Sequence, residues 1–225
     1  GFPAVFWAGC LNPLECELNS TAMSPWLKPA ERHPGIFPEW RHWSRRFRHF
    51  VYEKVFVLSD HLEAQRHGWM QDRQPVGPYI GVHLRGTDKW GEAPPVNIPA
   101  FVEQIQVLAN RTGLNTVFLA SDDWERTVEL DQQLKAVAPQ INLTYKPKDH
   151  YERGIHRHGG HNLDWVEKMV FLGELEVLRN STAFLGTASS NVGRLVYFLR
   201  EPEEGDQDLT TISVDEHNDF FSRLC

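Results

Sequence analysis

The stretch YIGVHLRGTDKWGE, residues 79–92, decides how the rest of the chain is read. Tyr79 to Arg85 is apolar and branched enough for a buried strand, and it breaks off into a polar turn. Between His83 and Glu92 that turn gathers His83, Arg85, Asp88, Lys89 and Glu92 around Gly86 and Gly91. A strand ending in so dense a set of charged groups points to an open α/β sheet, where ligands bind beyond the carboxyl ends of the strands.

The segments downstream fit that reading. PAFVEQIQVLANR, 99–111, opens with proline in its first turn and reads as a helix, and TVFLA, 116–120, reads as a second strand closing on Ser121, Asp122 and Asp123. A helix over 124–137, a strand over 141–145, a helix over 162–179 and a strand over 183–186 follow. SerSerAsn, 189–191, then opens another helix, and 210–214 offers a fifth strand. Alternation of strand and helix with short connections predicts an α/β fold: a Rossmann-like parallel sheet with helices on both faces.

Upstream, the Pro-containing break at Pro75 to Pro78 separates this unit from a different pattern. Over 39–64, Trp40, Trp43, Phe47, Phe50, Val51, Val55 and Leu58 recur at helical spacing, predicting one helical stretch with a greasy face. Arg41, Arg45, Arg46, Arg48 and Lys54 between them read as its solvated side. Residues 1–40 are rich in Pro and Gly and read as irregular. Two units are therefore expected: an irregular and helical segment over 1–75, and the Rossmann-like domain over 76–225.

The bulk properties exclude some functions. A net charge of -7 and a pI near 5.9 argue against a protein that grips nucleic acid through phosphates, although a local basic pocket can still hold a diphosphate. No apolar run approaches the roughly 20 residues needed to span a bilayer. The chain begins at Gly1 without a methionine, reads as a fragment, and would meet a membrane only through an N-terminal anchor outside it. Cys10 and Cys16 are close enough for a bridged loop, which leaves Cys225 odd. Sequons begin at Asn19, Asn110, Asn142 and Asn180 and, with that bridge, point to the lumen of the secretory pathway.

Three strand ends carry candidate chemistry. At the first, Arg85 offers planar donors suited to a diphosphate, Lys89 adds a point charge, and Glu92 is placed to act as a general base. At the second, 187–191, free backbone N–H groups at a helix start, with the hydroxyls of Ser189 and Ser190, make an anion site; simple capping is the plainer account. At the third, Asp122 and Asp123 either cap a helix or hold sugar hydroxyls. His156, His158 and His161 lack companion ligands at metal spacing and read as part of an acceptor loop. Trp40, Trp43 and Trp165 read as core packing rather than sugar platforms.

GVHLRGTDK, 81–89, resembles the GVHxRRTDK motif of the α1,6-fucosyltransferases. LASDD, 119–123, resembles that family's second strand end. Residues 174–191 run without a gap against its third motif, which ends Ser-Ser-Gln where this chain has SerSerAsn. The resemblance covers about 39–215 and implies the donor-binding half of a GT-B fold that uses GDP-fucose. It implies that His83 and Glu174 face the guanine, the latter in place of an aspartate. Arg85 and Ser190 would hold the diphosphate, with Ser189 and Asn191 beside them. Glu92 would be the catalytic base, Asp88 and Lys89 would shape the site, and Asp122 and Asp123 would lie near donor and acceptor. A metal-independent, inverting direct displacement onto a saccharide acceptor in the Golgi lumen is implied, with no cofactor beyond the donor. A protein O-fucosyltransferase and an inactive GDP-sugar-binding domain are the alternatives. Gly86 stands where the family has a second arginine.

Overall fold

The structure is a computed structural model that describes residues 37–70, 73–86, 96–153, 165–200 and 210–215. Two helices, α1 (Phe37–Val55) and α2 (Asp60–Met70), precede β1 (Ile80–Leu84), α3 (Ile98–Thr112), β2 (Thr116–Ser121) and α4 (Trp124–Val137). Then come β3 (Asn142–Tyr145), the short α5 (Lys148–Arg153), α6 (Trp165–Arg179), β4 (Ala183–Gly186), α7 (Asn191–Leu199) and β5 (Thr211–Ser213). The strands form one five-stranded parallel sheet in the order β3-β2-β1-β4-β5. The chain steps outward from β1 in one direction through β2 and β3, then returns to the other side of β1 for β4 and β5. That reversal opens a crevice beyond the carboxyl ends of β1 and β4.

Alternation along β1 assigns its two faces. Ile80, Val82 and Leu84 join Val117, Leu119, Ala183 and Leu185 under α3 and α4, packed with Phe101, Ile105, Leu108, Leu130 and Leu134. Tyr79 joins Phe118, Ala120 and Phe184 on the opposite face, beneath Met70 of α2, Leu175 and Leu178 of α6, and Val196 of α7. His83 has the parity of Tyr79 and pairs in register with Ala120, so its side chain belongs to this second face. Both faces are covered, as the apolar runs require.

Local signals set the helix ends. Asn97 caps α3 by accepting from the Ala100 N–H at 3.0 Å, and Gly113 closes it at φ 72, a left-handed conformation suited to glycine. Asp123 caps α4 by accepting from the Arg126 N–H at 3.0 Å, and Ser190 caps α7 by accepting from the Gly193 N–H at 3.4 Å.

The structure corrects the reading of residues 39–64 as one helix. The helix ends at Val55, and a new one starts at Asp60, where Ser59 stands in the N-cap position and Asp60 and Glu63 fill the first turn. Its faces also differ from expectation. Phe50 is 58% and Val55 78% exposed, whereas Arg45, expected in solvent, is buried with its guanidinium 4.3 Å from the Tyr197 ring centre. Tyr52 stacks on Phe198 at 5.5 Å and His49 Nδ1 lies 3.0 Å from the Phe198 carbonyl, so α1 meets α7 through its amphipathic residues. Trp165, expected in the core, is half exposed and donates its indole N–H to Gln65 Oε1 at 3.2 Å. The side chains of Trp40 and Trp43 lie outside the described residues.

Candidate functional site

The helix α6 runs antiparallel to the strands, so its N-terminal half lies over their carboxyl ends. Its buried stripe, Glu167, Val170, Glu174 and Leu178, changes character along that direction: carboxylates stand toward the strand ends and hydrocarbon toward the strand starts. Glu167 is matched by His150, whose Nδ1 lies 2.9 Å from its Oε1. Glu174 is only half matched. Lys146, one residue beyond β3, reaches its Oε2 at 3.4 Å, while Oε1 is buried without a hydrogen-bond partner among the described residues.

His83, from the end of β1 on this same face, is in a comparable state. It is buried, and its Nδ1 finds no partner among the described residues. An unsatisfied buried polar atom costs about 1–3 kcal/mol, so these two on one face, with Thr187 Oγ1 and Asp215 Oδ1 also unpartnered after β4 and β5 among the described residues, call for a ligand or water to complete them. Burial holds the His83 imidazole down to about 4, helped by the positive charges of Arg85 and Lys146, so the ring is neutral at physiological pH. Burial pushes the Glu174 carboxyl up to about 7, opposed by Lys146 and reinforced by Glu167 and Asp122. The site thus offers a neutral imidazole and a carboxyl poised between its two protonation states.

A side-chain hydrogen bond spans the crevice between β1 and β4. Arg85, directly after β1, donates from Nη1 to the Ser189 carbonyl at 3.0 Å, in the turn between β4 and α7. The turn is tied further: Ala188 N–H donates to Ser213 Oγ at 3.0 Å, and Ser189 N–H donates to Asp215 Oδ2 at 3.0 Å. The Ser189 N–H is therefore already committed to a carboxylate, and the Ser190 hydroxyl caps its helix. Asn191, exposed at the first position of α7, receives a hydrogen bond from Arg194.

Both aspartates at the end of β2 hold the frame. Asp123 caps α4, while Asp122 Oδ1 accepts from the Gly86 N–H at 2.6 Å. A Cβ at Gly86 would fall on the Asp122 carboxylate, 2.8 Å from its Cγ, so glycine is what lets the strand end approach. This gives a physical reason for the departure from the fucosyltransferase motif: an arginine at 86 would have to displace Asp122. Gly86→Ala is expected to cost about 1–2 kcal/mol by forcing that carboxylate off its donor. The cost should appear as a lower denaturant midpoint at unchanged slope; an unchanged midpoint would mean that Asp122 can move without penalty.

Two residues outside the sequence reading belong to this site. Lys146 followed a short strand without any motif, its only mark being a basic residue at a strand end. Arg126 donates from Nη1 to the Arg85 carbonyl at 2.9 Å and from Nη2 to the Val96 carbonyl, clamping the chain where it leaves β1 and where it enters α3. Trp124 packs edge-on to Tyr145 at 6.1 Å and to Tyr151 at 5.3 Å, and the Lys146 ammonium lies 4.8 Å from the Tyr151 ring centre. These rings wall the Glu174 side of the crevice. Asp88, Lys89 and Glu92, the histidines 156, 158 and 161, and the three cysteines lie outside the described residues.

The order of the sheet, with its switch point between β1 and β4, defines a Rossmann-like α/β unit. No protein-family model matches the chain, and no curated protein sequence matches it. Solved structures do. The crystal structure of POFUT1 in complex with GDP is similar at a TM-score of 0.42 and 18% identity, over 63% of this chain and 44% of that one. POFUT1 in complex with GDP-fucose gives 0.43 and 18%, over 64% and 43%. The apo-form gives 0.41 and 16%, over 62% and 43%. The chain thus spans less than half the length of the POFUT1 chains that it matches. Among the described residues, no helix is long and apolar enough to cross a membrane.

Proposed function

We propose that the chain binds GDP-fucose at the β1–β4 crevice and, as the donor half of a lumenal fucosyltransferase, transfers fucose to a saccharide acceptor with inversion. The observation that carries the proposal is the pair of orphaned atoms, His83 Nδ1 and Glu174 Oε1, on one face at the switch point. Guanine presents N1–H and an exocyclic amine as adjacent donors beside the O6 acceptor. A carboxylate takes the two donors, and a neutral imidazole can donate to an acceptor on the base. In this reading Arg85 meets the diphosphate with its planar donors, and Ser190 and Asn191 present the start of α7 to it.

In the transfer, the acceptor oxygen bonds to the anomeric carbon while the bond from that carbon to the diphosphate leaves with its electron pair. The acceptor proton passes to Glu92, and Arg85 and Lys89 offset the charge gathering on GDP. Asp88 shapes the turn, and Asp122 keeps the strand end in position for it. No metal is required for these roles, so chelation with EDTA is expected to leave donor binding unchanged.

Calorimetric titration with GDP, GDP-fucose and ADP tests the donor site. Saturable binding of both guanine ligands with ADP at least about tenfold weaker is expected, since adenine has an acceptor at N1 and lacks the adjacent pair of donors that guanine presents. Equal affinity for ADP, or no binding by folded protein, would remove the proposal. Gly86 favours one second reading, donor binding without transfer, because it leaves a single arginine after β1. A chain that binds GDP-fucose but releases no GDP when supplied with acceptor would be of that kind.

A further inference from the structure

Three of the four sequons lie among the described residues, and the fold brings all three to one edge of the sheet. Asn110 stands near the end of α3, Asn142 is the first residue of β3, and Asn180 directly follows α6. In a parallel sheet each helix returns the chain from the carboxyl end of one strand to the amino end of the next. Helix ends and strand starts therefore share the amino-terminal edge, opposite the crevice.

All three asparagines are exposed, and the residues that follow them, Arg111, Leu143 and Ser181, include no proline. Two of the sequon threonines bond backbone carbonyls: Thr112 donates to the Leu108 carbonyl at 2.7 Å and Thr144 to the Val117 carbonyl at 3.2 Å. Asn180 Nδ2 donates to Glu176 Oε1 at 2.9 Å on the surface, a bond that a singly substituted amide still makes with its remaining hydrogen. None of the three amides is committed to the core.

We propose that Asn110, Asn142 and Asn180 carry N-linked glycans, confined to the amino-terminal edge so that the crevice stays open. The proposal rests on the secretory-pathway part of the functional reading and not on the identity of the donor. In each case Nδ2 bonds to the anomeric carbon of an oligosaccharide while the bond from that carbon to a lipid diphosphate breaks. The electron pair leaves with the lipid diphosphate, and the amide gives up one of its two protons. Attachment takes place on the chain as it enters the lumen, so the fold decides which attached glycans the finished protein tolerates. The glycan at Asn142 has a second effect: it crowds the start of an outer strand and hinders pairing with another sheet edge.

The test is to deliver the full chain to the lumen of a eukaryotic cell with a secretion signal and to treat it with peptide N-glycosidase in heavy-oxygen water. Peptide mass mapping is done on both the lumenal pool and the medium, so that a retained protein still answers. Heavy-oxygen aspartate is expected at 110, 142 and 180, together with a GDP affinity that glycan removal changes less than about twofold. An unmodified asparagine at any of the three positions, or an affinity that rises about tenfold on deglycosylation, overturns the proposal. If GDP does not bind at all, the donor reading fails, and the occupancy map alone then decides the glycan sites.

Discussion

Replacing Arg85 with alanine is expected to weaken binding of GDP and GDP-fucose by at least about 100-fold, roughly 3 kcal/mol. A guanidinium that meets a diphosphate with two parallel N–H groups contributes charge-assisted bonds of about 1.5–3 kcal/mol each. The next position is Gly86, so the chain supplies no second arginine directly after Arg85. The same change removes the hydrogen bond from Arg85 to the Ser189 carbonyl, a separate effect that falls on the stability of the folded state. Titration calorimetry and a thermal melt separate the two effects. Arg85→Lys should fall between, keeping the charge and losing the fork. Near-normal affinity in the folded alanine variant would move the diphosphate elsewhere.

Glu174→Gln is expected to lower GDP affinity by about 10- to 100-fold and to erase the preference over ADP, because one of the two accepting oxygens becomes a donor facing the guanine donors. The parent protein carries a pH signature that this variant should lack. Burial holds the free carboxyl near 7, and guanine, by donating to the carboxylate, lowers that value in the complex. The free protein then holds more protons than the complex, so affinity falls as pH drops below 7, approaching about tenfold per pH unit. His83, held down to about 4, stays neutral over pH 5.5–8 and adds no slope there. Proton release on binding, read from the buffer dependence of the calorimetric heat, should be present in the parent and absent in the variant. A flat pH profile in the parent would mean that Glu174 does not contact the base. Stability without ligand has its own sign. The Glu174 carboxyl is raised in the fold from an ordinary value of 4.5, so its contribution is fully present below 4.5 and is lost as pH rises through 7.

Much of this architecture was legible in the sequence because parallel strands buried on both faces are short apolar runs with sharp polar ends. The helix over 124–137 and the strand over 183–186 match their expected ranges, and 116–120 falls one residue short of β2. The candidate site is legible in the sequence where a polar residue closes a strand or opens a helix, as at His83, Arg85, Asp122 and Ser190, whose roles stand as proposals. Lys146 was not, since its meaning comes from Glu174 on a different element. Arg45 was misread for a related reason: helical spacing separates two faces, but which one is covered depends on Tyr197, far along the chain. The same holds for Trp165, whose partner Gln65 belongs to another helix. Asp122 shows the limit from the other side. Its carboxylate explains Gly86, yet nothing local connects the two positions.

The order of strands has a consequence for how the protein is made. Of the five described strands the central one, β1, is the first to leave the ribosome, and β2 can pair with one of its sides as soon as α3 has formed. The other side waits for Ala183 to Leu185, which pair with Ile80 to Val82 only after the intervening helices have been synthesised. At about 5–20 residues per second, that side of the strand stays open on the order of 5–20 s. During this interval a row of unpaired backbone groups faces solvent beside apolar Val82 and Leu84, a template for mispairing with another nascent chain. The crevice appears only when the open side closes, because Glu174 and Ser190 flank the arriving strand. On the proposed reading, nucleotide binding would report that β4 has paired with β1, and a chaperone that shields β1 in the interim would have to leave first.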